Sequence, residues 1–485
     1  MILKEKLQAF LKNGEVGFPT ALAASVGIVM ASPVILTAST GFGLGGSSFV
    51  IAMLIACVMM LCQATTFSEL ASMLPTGSSV YDYISCGMGR FFAVMGTISA
   101  YILVHAFAGT AEVILSGIMA TVNFPNVQDY LDAKGGAWMV GVGLVLFFAA
   151  LNYFGVQAFA KVEILLTVAM FATLTIFGFI GLTQPAVAPI EGFVGKSVIG
   201  TDLMSTMSLV GMAMFMFLGM ELVTPLAPEI RNSHRNIPKA MMLGMLLVLV
   251  CMLMWGAGMA RQVENVALDP AGTVHILETP DSIPAFANQI MGKAGRIWLG
   301  LAFLCAGAAC INALMASVSR IIQGMAEDGS LPKVFAKVHP KYRSPVVGII
   351  AAAVIPVAHT IWIGGDLDKI LPLVLAAVCA WGFAYLLVTF SLISLRIRRP
   401  DLPRAYRVPF YPLPQIISSI GIIVGLYFVA PPTIDPALVY VPFVWMLVLT
   451  GIYSFIWVKV VKRESLFTPT PIEEVLERLF KSHEQ

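Results

Sequence analysis

Glu221 directly follows Phe217-Leu218-Gly219-Met220, inside an apolar stretch near residues 205–226 that is long enough to cross a membrane. Charge at that depth is costly and is a functional hypothesis wherever it occurs. Gly219 lets the backbone leave the helix there, and carbonyls freed near a half-helix end accept bonds from an ammonium group. Glu221 can bind a proton, pair with a cationic substrate, or hold a neighbouring backbone N–H so that the break stays open. His105 and Glu112 lie seven residues apart in another apolar stretch, two turns along one helical face. They form either a proton relay, with an imidazole that titrates near neutral pH, or a hydrogen-bonded contact between helices. Ala31-Ser32-Pro33 interrupts a third stretch, residues 27–40. Ser32 offers a hydroxyl and nearby exposed N–H groups that suit a carboxylate at the positive end of a half-helix, while Pro33 removes one donor.

Two interruptions at corresponding places in the two halves of a chain mark the substrate site of an inverted-repeat transporter, because non-helical backbone in hydrocarbon survives only where it is buried or lines a cavity. Phe215 and Phe217 flank the second break, and Phe215 is placed either to gate a bound substrate or to pack. Trp381 and Tyr385, four apart, form a further candidate face or a packing pair. Glu163 is expected to pair with Lys161 or another base, and His359 to pack between helices.

Positioning these groups requires spanning helices, and composition supplies them. The chain has 485 residues, 58% hydrophobic and 12% charged, against roughly 25% charged in a soluble domain. Twelve spans are expected, near 17–42, 47–73, 91–121, 136–154, 160–182, 204–226, 238–259, 295–326, 344–363, 369–395, 413–431 and 437–460. With a cytoplasmic N-terminus, 23 of the 29 Lys and Arg fall on the cytoplasmic side and six outside, the positive-inside pattern. Both termini are then cytoplasmic: residues 1–16 form a short N-terminal segment, 17–460 the membrane domain and 461–485 a tail. No cleaved signal peptide is read at Met1–Lys6. In the tail, Thr470-Pro471 and Glu473 resemble an N-cap, a first-turn proline and a capping-box acid. Ile472, Val475, Leu476, Leu479 and Phe480 share one helical face, to be packed on the bundle or laid at the lipid interface. The outward loop 260–294 carries a short amphipathic piece around Ile283–Met291. A net charge of +2 suggests no nucleic-acid partner, and the seven Cys lack metal-ligand or redox spacing. No metal or cofactor is expected. A nucleophile–base set and an ATP-hydrolysis motif are both missing from the sequence, which argues against an enzyme.

Three further stretches resemble the amino acid–polyamine–organocation (APC) superfamily of transporters over nearly the whole chain. They are Phe67-Ser68-Glu69-Leu70-Ala71-Ser72-Met73-Leu74-Pro75-Thr76-Gly77 with Tyr81, Tyr83 and Gly89-Arg90; Phe217 to Glu221 running on to Pro228-Glu229 and Asn236-Ile237-Pro238; and Arg320 through Asp328-Gly329-Ser330-Leu331-Pro332 to Ser344-Pro345. The resemblance implies two inverted five-helix repeats, 17–182 and 204–395, plus two helices in 413–460, with the first and sixth helices broken. By position it assigns substrate contacts to Ala31, Ser32, Pro33, Phe217 and Gly219, an aromatic gate to Phe215, and the sixth-helix acid to Glu221. The family's glycine-rich first break is Ala31-Ser32-Pro33 here, which weakens the carboxylate cradle. The fifth-helix lysine of several members falls on Met170, leaving Glu221, His105 and Glu112 as candidates for proton coupling. The eighth-helix aromatic of arginine/agmatine exchangers falls on Leu314.

The expected function is secondary active transport of an amino acid or related small amine across the cytoplasmic (inner) membrane, with protons as the coupling ion. The alternatives are a polyamine or amino acid/amine exchanger and, in another class, a sensor built on a transporter fold. Oligomeric state is not readable.

Overall fold

The computed structural model describes residues 2–187, 203–270, 274–430 and 434–484. Among them the chain is helical, with no strand and two isolated bridges, Val16 to Ile230 and Ala267 to His275. This is the expected outcome for long apolar runs, since only a helix satisfies its own backbone where water is absent. Nine of the described helices are long and apolar enough to cross a bilayer, or ten when the bent pair Phe18–Val29 and Ser32–Gly45 is one span. Two further expected spans are apolar helices of 16 and 15 residues, Trp138–Tyr153 and Leu413–Tyr427. Lys196, counted above with the outward charges, lies outside the described residues.

The first interruption is a bend of 57°. Helix Phe18–Val29 stops at Met30, and Ala31 is extended (φ −67°, ψ 158°) before Ser32 opens the next helix. Pro33 falls in the first turn of Ser32–Gly45, where its missing N–H takes nothing the helix would have paired. At the second, helix Leu203–Phe215 ends, Gly219 takes φ 99°, and a 3₁₀ turn covers Met220–Leu226. A side chain at 219 would be strained at that φ, and a Cβ there would lie 2.9 Å from Ile28 Cγ2. Glycine is required on both counts.

The Arg90–Thr121 span contains a π-helical segment, Ile98–Leu103. Such segments re-aim side chains within a helix and are frequent at functional sites. Helix Ser282–Glu327 joins the amphipathic outer piece to a span across Gly292, whose φ is 58°. The Val156–Thr183, Ser233–Gln262 and Ser282–Glu327 helices all pack on Phe18–Val29. The tail helix, Ile472–Glu484, lies against the bundle, with Ile472, Val475, Leu476 and Leu479 buried and Phe480 edge-on to Phe10 at 5.9 Å. Its capping box does not form. Thr470 bonds Ser85 through its hydroxyl (2.5 Å) and its N–H (3.0 Å), and Glu473 accepts from Arg399 Nη2 at 2.8 Å. Tertiary partners have taken both groups that would have capped the helix locally.

Candidate functional site

The two breaks face one small cavity of about 60 Å³. Ala31, Pro33 and Val34 reach it from the first break, and Phe215, Leu218 and Leu222 from the second. His105 and Glu112 complete the wall from the π-containing helix, whose face presents both to the same space. Seven of the residues singled out in the sequence therefore line the cavity: Ala31, Pro33, His105, Glu112, Phe215, Leu314 and Trp381. Ser32, Phe217, Gly219 and Glu221 are not part of its wall; Ser32, Phe217 and Glu221 are buried beside it.

Glu112 is the contact that sequence spacing did not reveal. The Ser32 N–H donates to Glu112 Oε2 at 3.0 Å, and the Ser32 hydroxyl donates to Oε1 at 2.8 Å. The side chain from one helix thus occupies the donors at the start of another, where the macrodipole favours negative charge. His105 shares the wall with Glu112 but is not bonded to it. Its Nε2 instead lies 2.7 Å from the Ala352 carbonyl, and its Nδ1 is buried without a partner.

Glu221 is held by three side-chain donors. Tyr101 donates its hydroxyl to Oε1 at 3.1 Å, the Trp381 indole donates to Oε1 at 2.7 Å, and the Tyr385 hydroxyl donates to Oε2. The Gly219 N–H in turn donates to the Tyr385 oxygen at 3.3 Å. Trp381 and Tyr385 are the two residues that the sequence offered as a candidate face or a packing pair. Tyr101 was not foreseen, because it sits in the π segment, where ordinary helical spacing does not place a side chain.

The amino acid permease family model matches residues 16–453. The chain belongs to that family. The serine/threonine exchanger SteT of Bacillus subtilis (strain 168) is 23% identical over 435 residues, covering 87% of this chain and 91% of that protein. The branched-chain amino acid permease BcaP of the same organism is 22% identical over 426 residues, 83% and 85% of the two chains. Its methylthioribose transporter is 24% identical over 418 residues, 81% and 84%. The chain is an APC-type amino acid permease in family terms, a multi-pass membrane protein from a family of transporters and not of enzymes.

Within this permease the expected Glu163–Lys161 pair is absent. Residues two apart do not face each other on a helix, and here Lys161 is exposed while Glu163 is fully buried. Asn312 Nδ2 donates to Glu163 Oε2 at 2.7 Å, and Asn152 Nδ2 donates to Asn312 Oδ1 at 2.8 Å. His359 packs as expected, with Nδ1 3.0 Å from the Ala106 carbonyl and its ring edge-on to Phe107. Of the motifs behind the family resemblance, Phe217 to Glu221 reaches the cavity through Leu218, while the charges at Glu69, Arg320 and Asp328 are fastenings away from it. Glu69 is paired with Arg396 and Arg404 and accepts the Val408 N–H at 2.7 Å. Arg320 holds Glu229 through two 2.9 Å bonds. Asp328 is gripped by Arg90, Lys462 and Arg478. No group of His, Cys, Asp and Glu that could hold a metal occurs among the described residues.

Proposed function

We propose that this permease is a secondary active transporter that carries an amino acid or a related small amine through the cavity between its two breaks, by alternating access and coupled to protons. The observation that carries this reading is the convergence of Ala31 and Pro33 with Phe215, Leu218 and Leu222 on one space. Broken helices meeting at a central site are the usual construction of such carriers. Counting the two helices of 16 and 15 residues as spans agrees with twelve spans in two inverted repeats, and the charge bias supports cytoplasmic termini at the inner membrane. Ala31 and Pro33 contact the substrate, Ser32, Phe217 and Gly219 support the breaks behind them, and Phe215 closes over it. Of the proton-coupling candidates, Glu112 and His105 face the cavity, whereas Glu221 is occupied by three donors and is the weaker candidate. Relatives named as an exchanger, a permease and a methylthioribose transporter support small-solute transport and leave exchange as the second reading.

Counterflow in proteoliposomes against a panel of amino acids and amines, with and without a pH gradient, tests this. Labelled substrate should exchange at equal concentrations and accumulate when a gradient is imposed. Exchange without gradient-driven accumulation would replace coupling by antiport. Failure of every substrate to exchange would overturn transport in favour of a sensor.

A further inference from the structure

The cavity wall has a one-sided supply of hydrogen-bonding groups. Its side-chain donors are spent. Ser32, at the break, gives its N–H and hydroxyl to Glu112 at 3.0 and 2.8 Å. The Tyr101 hydroxyl and the Trp381 indole both go to Glu221, at 3.1 and 2.7 Å. The Cys310 thiol is directed to the Ile28 carbonyl, 3.6 Å away. Neither Lys nor Arg reaches the wall.

What remains are acceptors. Each Glu112 oxygen takes one bond from Ser32 and keeps further lone-pair capacity. His105 Nε2 lies 2.7 Å from the Ala352 carbonyl, which only accepts, so the ring proton is on Nε2. Nδ1 of the neutral ring then carries a lone pair. It is buried, unpartnered, and set against Gly109, where an added Cβ would come within 3.0 Å of it. The rest of the surface is apolar, supplied by Ile28, Val34, Val104, Phe215, Leu218 and Leu314.

Resting on the transport reading above, we propose that the cavity takes a small monoamine with an apolar body and no α-carboxylate, its ammonium group donating to Glu112. An α-amino acid would bring its carboxylate to donors that Glu112 already holds. An ammonium group brings only donors to a wall whose free side-chain groups are acceptors, and pairs with the single acid there. A diamine would carry a second charge into a wall with no second acid, since Glu221 lies outside it.

The test compares matched pairs on the purified full-length protein in detergent: valine with isobutylamine, leucine with isoamylamine, phenylalanine with phenethylamine, and cadaverine as the diamine. Thermal unfolding at neutral pH reads binding. At least one amine should raise the melting temperature, half-saturating at a concentration roughly tenfold or more below that of its parent amino acid, and cadaverine should give no shift. Glu112→Gln should abolish the amine shift. Amino acids that bind as tightly as their amines would overturn the proposal, as would an amine shift surviving in folded Glu112→Gln. If that variant does not fold, the wild-type pairs decide alone. Counterflow separates the two levels of the reading. Exchange of amino acids without amine binding removes the amine proposal and leaves transport standing, whereas neither binding nor exchange for either class removes both.

Discussion

At the first break a carboxylate is held by the break itself: both donors to Glu112 belong to Ser32, the residue that opens the second half-helix. At the second break the holding is reversed. Glu221 belongs to the break, and its donors, Tyr101, Trp381 and Tyr385, stand on two other helices. The difference separates an exchangeable contact from a fastening. Any movement of the first half-helices carries Ser32 relative to Glu112, and Glu112 also faces the cavity, so its partners can change with a ligand. Glu221 has no cavity face, and releasing it would strand three buried donors at a cost of about 1–3 kcal/mol for each.

Paired substitutions would break this contrast most directly. Glu112→Gln should reduce transport by roughly 100-fold, the scale of losing one charge-assisted contact of ~2–3 kcal/mol, while thermal stability changes little. Glu221→Gln should instead lower stability by about 2–4 kcal/mol, because an amide replaces one charged acceptor with a further donor among donors. Transport would then fall with the folded fraction. Unfolding curves and counterflow on both variants check this, and a stable, inactive Glu221→Gln beside an unstable Glu112→Gln would invert the assignment.

Gly219 joins the two breaks physically, and a methyl group there tests the joint. Gly219→Ala should cost about 1–3 kcal/mol through its left-handed backbone alone, with a further clash against Ile28. Ile28→Ala in the same protein should recover the steric part and leave the backbone part. Full recovery would mean that the glycine is needed only for space. Phe215→Ala should weaken substrate binding about tenfold, the loss of part of an aromatic side chain's buried area, without lowering the amount of folded protein. Unchanged affinity would make Phe215 a packing residue.

The sequence made the breaks legible because backbone chemistry announces them: Pro33 beside Ser32 at one, Gly219 beside a lone acid at the other. It also made legible that His105 and Glu112 share a face, since helical spacing alone decides that. What remained hidden were contacts between distant elements. Ser32 and Glu112 are 80 residues apart, and nothing local to either marks the other as its partner. Tyr101 was hidden by the π segment, which shifts the register on which face assignments depend. For Glu163 the sequence pointed to Lys161 or another base, whereas Asn312, 149 residues away, donates to it. The family motifs were conspicuous for a different reason, namely that Glu69, Arg320 and Asp328 are charges that need partners. Their visibility identifies the fold and says little of what the cavity binds.

The smallest effect is expected where a fastening lies farthest from the cavity, at the tail helix, and it shows whether the contrast extends beyond the membrane. Arg478 of that helix reaches Asp328 and also Asp82, the latter at 2.6 Å, while Arg90 ties Asp328 at 3.2 Å and Glu474 at 2.7 Å. Burial pushes the Asp328 carboxyl up, but Arg478, Arg90 and Lys462 outweigh it and hold it well below the usual carboxylate range. A carboxyl depressed in the folded state contributes its stability above its unfolded value, about 3.9, and loses it as pH falls below that. Hydrogen exchange across residues 472–484, corrected for intrinsic rates, reads the attachment. Protection should be flat from neutral pH down to about 4 and decline below. Asp328→Asn should raise exchange at neutral pH by roughly tenfold, equivalent to ~1.4 kcal/mol, with global unfolding almost unmoved because the buried apolar face still holds. If protection is the same in both proteins, the apolar face alone fastens the helix. If transport collapses while protection persists, Asp328 belongs with Glu112 among the contacts that change during the cycle.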